Sequence, residues 1–133
     1  MGTPIEVLLV EDDLGDVQLA REALGESELE SNLNVVWGGE EARIFLQMEG
    51  PYATAPRPHL ILLSLNLSDQ DGYNLLAEIK VDKNLRNIPV VVITHSMPQE
   101  NILQTYADYI IKPMDRDQFM AVTKRLTDSG WMQ

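Results

Sequence analysis

Three acids stand side by side at Glu11, Asp12 and Asp13, directly behind the apolar run Ile5–Val10. Adjacent carboxylates are costly unless a hard divalent cation or a lysine offsets their charge. Asp13 also fits a helix N-terminus, where the peptide dipole favours an acid. A second apolar run, "LILLS", ends on the hydroxyl of Ser64, with Asn66 two residues on. A third, "IPVVVIT", ends on Thr94, with Ser96 beyond it. A fourth, "YIIK", ends on Lys112, which Pro113 follows. If these runs are neighbouring strands, carboxylates, two hydroxyls and one ammonium meet at a single concave spot.

The elements that must position them alternate along the chain. "IEVLLV", "LNVVW" (Leu33–Trp37), "LILLS", "IPVVVIT" (Ile88–Thr94) and "YIIK" (Tyr109–Lys112) read as strands. Between them lie amphipathic runs at helical spacing. The first carries Val17, Ala20 and Leu24 inward, the second Ala42, Phe45 and Leu46, the third Leu75, Leu76 and Ile79. Gly50-Pro51 stops the second, and the Pro-rich "PYATAPRP" reads as a loop. "PQENILQTYA" is a short fourth helix with Pro98 in its first turn. Asp115 caps the last, which turns Phe119, Val122 and Leu126 inward. Continuous Val/Ile/Leu strands indicate a parallel sheet covered on both faces. With right-handed crossovers the sheet is doubly wound, and ligands then sit beyond the carboxyl ends of its strands.

Bulk composition narrows the function. A chain of 133 residues makes one domain, here 1–133. A net charge of −11 opposes contact with nucleic acid or an anionic membrane. It suits a basic protein surface or a cation. The absence of cysteine excludes thiolate chemistry and fits a cytoplasmic setting. No apolar run reaches the roughly 20 residues of a membrane span, and "MGTPIEVLLVEDD" lacks the basic start of a signal peptide. His59 and His95 have no metal-ligand spacing. Trp131 either packs on a partner or covers the last helix of its own chain.

Taken together, "LLVEDD", the Asp71-Gly72 pair, "VVVIT" and "IIKP" resemble the receiver domain of bacterial response regulators, the CheY-like family with a flavodoxin-like α/β fold. The order of these motifs holds over nearly the whole chain. "VEDDLGDVQLAREAL", "GEEA" and "EGPYATAPRPHLILL" are similar to the stand-alone regulators associated with bacterial phytochromes. The resemblance implies two-component signalling through protein partners rather than enzyme activity. It implies that Glu11 and Asp12 match the family's magnesium-binding acids, with the Asn66 carbonyl completing the metal site. Thr94 and Lys112 then match the groups that contact the phosphoryl, and Tyr109 matches the aromatic that follows the switch.

Two departures stand out. The family's usual pattern, "LILLDLNLPDMDG", has its phosphoacceptor aspartate where this chain has Ser64, and a proline where it has Ser68. An aspartate is ionised at neutral pH, whereas a serine hydroxyl needs a general base. A serine phosphate is also an ordinary ester, ill matched to exchange with a phosphohistidine. Ser64 is therefore expected not to accept a phosphoryl group, and magnesium, one carboxylate short, to bind weakly if at all. Lys112 is expected to satisfy Glu11 and Asp12 directly.

The second departure is length. Lys112 lies only 18 positions after Thr94, about one helical turn fewer than in typical receivers. A clipped fourth helix beside a missing phosphoacceptor favours a natural pseudo-receiver, whose partner is a sensor histidine kinase, a phytochrome, another regulator or a second copy. The alternatives are an ordinary phosphorelay receiver in which Ser64 is engineered or bypassed, with Asp69 as a substitute acceptor, and a flavin carrier on the same fold. Against the flavin carrier, "VEDDLGD" presents acids where a phosphate cradle needs N–H donors.

Overall fold

The computed structural model describes residues 4–68, 71–96 and 108–131. Its strands are β1 (Ile5–Val10), β2 (Ser31–Val36), β3 (Leu60–Ser64), β4 (Val90–Thr94) and β5 (Asp108–Ile111). The helices among the described residues are α1 (Leu14–Glu26), α2 (Gly39–Leu46), α3 (Gly72–Val81) and α4 (Arg116–Asp128). All strand pairs are parallel, in the order β2-β1-β3-β4-β5. This is the doubly wound parallel sheet expected from the apolar runs, in the flavodoxin-like form that the receiver resemblance implied. The expected helix over 98–107 and the loop acid Asp69 lie outside the described residues. Among the described residues, no helix is long and apolar enough to cross a membrane.

Strand parity sorts the core into two layers. Ile5, Val7 and Leu9 of β1, with Leu60 and Leu62 of β3, pack under α1 and α4 against Val17, Leu24, Phe119 and Leu126. Leu8, Val10, Ile61 and Leu63 pack on the other face against α2 and α3, where Phe45, Leu75 and Ile79 wait. Every residue of β3 and β4 is buried, so these strands read as unbroken apolar runs. Each large side chain so buried contributes about 1.5–3 kcal/mol. The edge strands β2 and β5 are only partly covered and carry polar residues.

Several element ends differ from the sequence reading. β2 begins at Ser31 and stops before Trp37; β4 begins at Val90; β5 is displaced by one residue and leaves Lys112 just beyond it. "PYATAPRP" is not wholly loop, because Gly50–Tyr52 forms a 3-10 turn. Gly50 takes φ 53°, a left-handed conformation that glycine adopts without strain, and Pro51 fits the first helical turn. The caps follow expectation: Asp13 accepts from the Asp16 N–H at 2.9 Å and Asp115 from the Gln118 N–H at 2.8 Å. Trp131 covers its own chain, partly buried against the α1–α4 layer, with Nε1 donating to the His59 carbonyl at 3.0 Å.

Candidate functional site at the carboxyl ends of the strands

β3 is the middle strand, and Ser64 is its last residue, fully buried. Glu11 follows the neighbouring β1 and is also buried, at 1% exposure. Lys112 follows β5, its N–H extending the ladder to the Thr94 carbonyl at 2.8 Å. Its ammonium has three donors and finds three acceptors. These are Glu11 Oε1 at 2.8 Å, Asp16 Oδ2 at 3.0 Å and Ser64 Oγ at 3.1 Å. Burial alone would pull the lysine down, but the hydrogen bonds and charges of Glu11 and Asp16 outweigh it and hold Lys112 above its ordinary value. Lys112 is thus a charged donor. It does not act as the base that a serine nucleophile requires.

The rest of the site departs from a single converging cluster. Lys112 does not pair with Asp12, contrary to expectation. It reaches Asp16, which the sequence reading passed over. The signal was present: with Asp13 as cap, Asp16 lies one turn into α1, on the helix beside β1. Asp12 turns to the β3–α3 loop instead, its Oδ2 accepting from the Ser68 N–H at 2.7 Å. Burial pushes its carboxyl up, but both Ser68 hydrogen bonds, its own N–H and the Lys112 charge bring it below its ordinary value.

Asn66 donates its N–H to Ser64 Oγ at 3.2 Å and accepts from the His95 N–H through Oδ1 at 3.0 Å. The alternation that sends Ser64 toward the α1–α4 layer sends Thr94 toward the α2–α3 layer. There Tyr109 packs partly buried. Thr94 is buried, and its Oγ1 accepts from the Ser96 N–H at 3.4 Å, not from Lys112. Glu11, Ser64 and Lys112 therefore meet, while Thr94 and Tyr109 sit across the sheet. His59 is at the opposite end of β1, its Nδ1 accepting from the Glu6 N–H at 2.8 Å.

The donor set does not fit magnesium in this arrangement. A hard divalent cation needs several free oxygens. Glu11 commits Oε1 to Lys112 and Oε2 to the N–H groups of Asp12 and Asp13, at 3.0 and 3.2 Å. Among the described residues no group of three or more His, Cys, Asp or Glu is arranged to hold a metal ion.

The loop that carries Ser64 is also fastened at its far end. Asp71, before α3, receives Arg43 from α2 through both carboxylate oxygens, and Arg43 continues to Glu78 on α3. Gly39 is required for this seat, since a Cβ there would fall 2.3 Å from Asp71 Oδ2. Gly72 lies against the Ser64 carbonyl, 2.7 Å from where its own Cβ would stand.

Hydrogen bonds from Arg43 hold the Asp71 carboxyl below its ordinary 3.8 despite burial. A carboxyl lowered by folding stabilises the fold above its unfolded value and loses that contribution as pH falls through its folded one. Urea melts of Asp71→Asn should run about 1 kcal/mol below the parent at neutral pH and converge with it in acid. Parallel pH curves for the two proteins would contradict this coupling.

The resemblance read from the motifs is matched by known proteins. Residues 7–124 match the response regulator receiver domain. Response regulator Rcp1 of Synechocystis sp. is 44% identical over 103 residues, covering 77% of this chain and 70% of that protein. The crystal structure of the phosphorylated cyanobacterial phytochrome response regulator RcpA superposes with a TM-score of 0.78 at 38% identity, over 98% of this chain and 96% of that one. The Mn2+-bound form of Rcp1 gives 0.77 at 38% identity over the same shares. Similarity to phytochrome-associated regulators thus holds over the whole fold. With its parallel sheet in the order β2-β1-β3-β4-β5 and a match running from β1 into α4, the chain belongs to the response regulator receiver domain family.

Proposed function

We propose that this receiver signals by protein–protein contact without being phosphorylated, Ser64 standing at the position of the family's phosphoacceptor aspartate. One observation carries the reading: the Lys112 ammonium, buried at 4% side-chain exposure, is closed on Glu11, Asp16 and the Ser64 hydroxyl. In this reading Lys112 supplies from within the charge that a cation and a phosphoryl group would otherwise balance. Glu11 and Asp12, the counterparts of the metal-binding acids, are engaged elsewhere, so magnesium binds weakly. Among the described residues no base is bonded to Ser64, and its hydroxyl accepts from Lys112 and Asn66 instead. Thr94 and Tyr109 keep the positions of the family's switch residues, with no phosphoryl group to drive them.

The similarity to Rcp1 and RcpA supports a sensor histidine kinase of the phytochrome class as partner, met in the cytoplasm. Calorimetric titration against the recombinant kinase core of a cyanobacterial phytochrome tests this. The expected dissociation constant is the same, within about twofold, with and without acetyl phosphate and magnesium (about 0.4 kcal/mol at most). A tenfold change would contradict phosphorylation-independent contact. Absence of binding under both conditions would remove this kinase class as the partner.

A further inference from the structure

Over its described first part, the β3–α3 connection is tied down at 64, 66 and 68. Ser64 Oγ accepts from the Asn66 N–H, Asn66 Oδ1 accepts from the His95 N–H beyond β4, and the Ser68 N–H donates to Asp12 beyond β1. The last bond joins the two loops that flank the site. The Ser68 hydroxyl adds a second bond to the same carboxylate, while the three donors of Lys112 are taken by Glu11, Asp16 and Ser64. The bond at 2.7 Å is charge-assisted, a class about twice as strong as a neutral hydrogen bond. Its donor is a main-chain N–H, which any residue except proline possesses. Position 68 is where the resembled loop pattern has proline.

We propose that Ser68 is a positioning residue, whose backbone N–H captures Asp12 and folds the β1–α1 loop onto the β3–α3 loop, so that both serines of this loop close the site. This deepens the phosphorylation-independent reading and rests on it for the counterpart role of Asp12. Ser64 removes the nucleophile; Ser68 occupies an acid that would otherwise face the pocket. The consequence is specific: restoring an aspartate at 64 alone leaves Asp12 engaged, and a cation then meets one acid fewer than the sequence offers.

The unmodified chain gives the first test. The Ser68 amide should exchange with solvent about tenfold more slowly than in Asp12→Ala, a ratio of one decade or 1.4 kcal/mol. Equal exchange rates would overturn the proposal. The second test compares magnesium dissociation constants by calorimetry for Ser64→Asp, Ser64→Asp/Ser68→Pro and Ser64→Asp/Ser68→Ala. Proline, which lacks the main-chain donor, should tighten binding about fivefold over Ser64→Asp, and alanine, which loses the hydroxyl bond but keeps the main-chain N–H, by less than twofold (ratios of about 1 and 0.4 kcal/mol). Equal constants for the proline and alanine variants would overturn it. Should the proline variant not fold, the exchange measurement decides alone. Phosphorylation of the unmodified chain would defeat the parent reading and leave the exchange result intact, so the two failures are separable.

Discussion

Ser64→Asp is expected to gain one phosphoryl group from acetyl phosphate in excess magnesium. The new carboxylate is ionised at neutral pH and needs no base to attack phosphorus. It would replace an oxygen that already lies 3.1 Å from Lys112 Nζ, so an ammonium stands ready to offset charge on the transferring group. Glu11 remains beside it to contribute toward a cation by yielding part of its hold on Lys112, while Asp12 stays engaged by Ser68, which is why excess magnesium is needed. Intact-mass analysis checks the outcome. A Ser64→Asp protein that folds but takes no label would mean that more of the phosphorylation site than one residue has been lost.

The second large effect concerns stability. Lys112→Met leaves the buried Glu11 carboxylate and the partly buried Asp16 without their counter-ion. Removing one partner of a buried ion pair costs about 3–5 kcal/mol, because the other charge stays desolvated. For a domain of this size the melting temperature should fall by roughly 10–20 °C. Glu11→Gln/Lys112→Met should recover a large part of this, since neither buried charge of that pair then remains. The native contribution is expected to be complete at neutral pH. Folding raises the ammonium above its ordinary 10.5, so its stabilisation is present below that value and lost only as pH climbs through the raised one. Urea denaturation at pH 7 measures both variants. A loss below about 1 kcal/mol for Lys112→Met would show that other groups neutralise Glu11.

The sheet was legible because its central strands are apolar on both faces. A run such as "LILLS" has one plausible fate, and parity along it assigns each side chain to a layer. The caps were legible for the same local reason: Asp13 and Asp115 precede amphipathic runs and bond the N–H three residues on. Which acid the lysine chooses was legible only through the helix geometry, not through adjacency in sequence. Asp12 is adjacent to Glu11 in sequence, but Asp16, brought round by one turn of α1, is the nearer partner in space. Strand parity could have separated Thr94 and Tyr109 from Glu11, Ser64 and Lys112 in advance. Treating all strand ends as one cluster obscured that division. The main-chain Ser68–Asp12 bond was hidden for another reason, since a backbone donor leaves no mark in residue chemistry beyond the absence of proline.

The same division explains how the site would hold together without a phosphoryl group, as the proposed reading requires. On the α1–α4 side a buried lysine closes on two acids and a hydroxyl. Above it, Asp12 and Asn66 staple the loops from β1, β3 and β4 to one another. At the loop's far end Arg43 seats Asp71 against Gly39. Each fastening satisfies a group that would otherwise seek a cation, a phosphoryl group or water.

The central claim is that this closed arrangement does not accept a phosphoryl group. Incubation of the unmodified chain with acetyl phosphate and magnesium, followed by intact-mass measurement beside Ser64→Asp, tests it most directly. The account predicts an unchanged mass for the unmodified chain under conditions that label the aspartate variant. A stable gain of one phosphoryl group on the unmodified chain would contradict it.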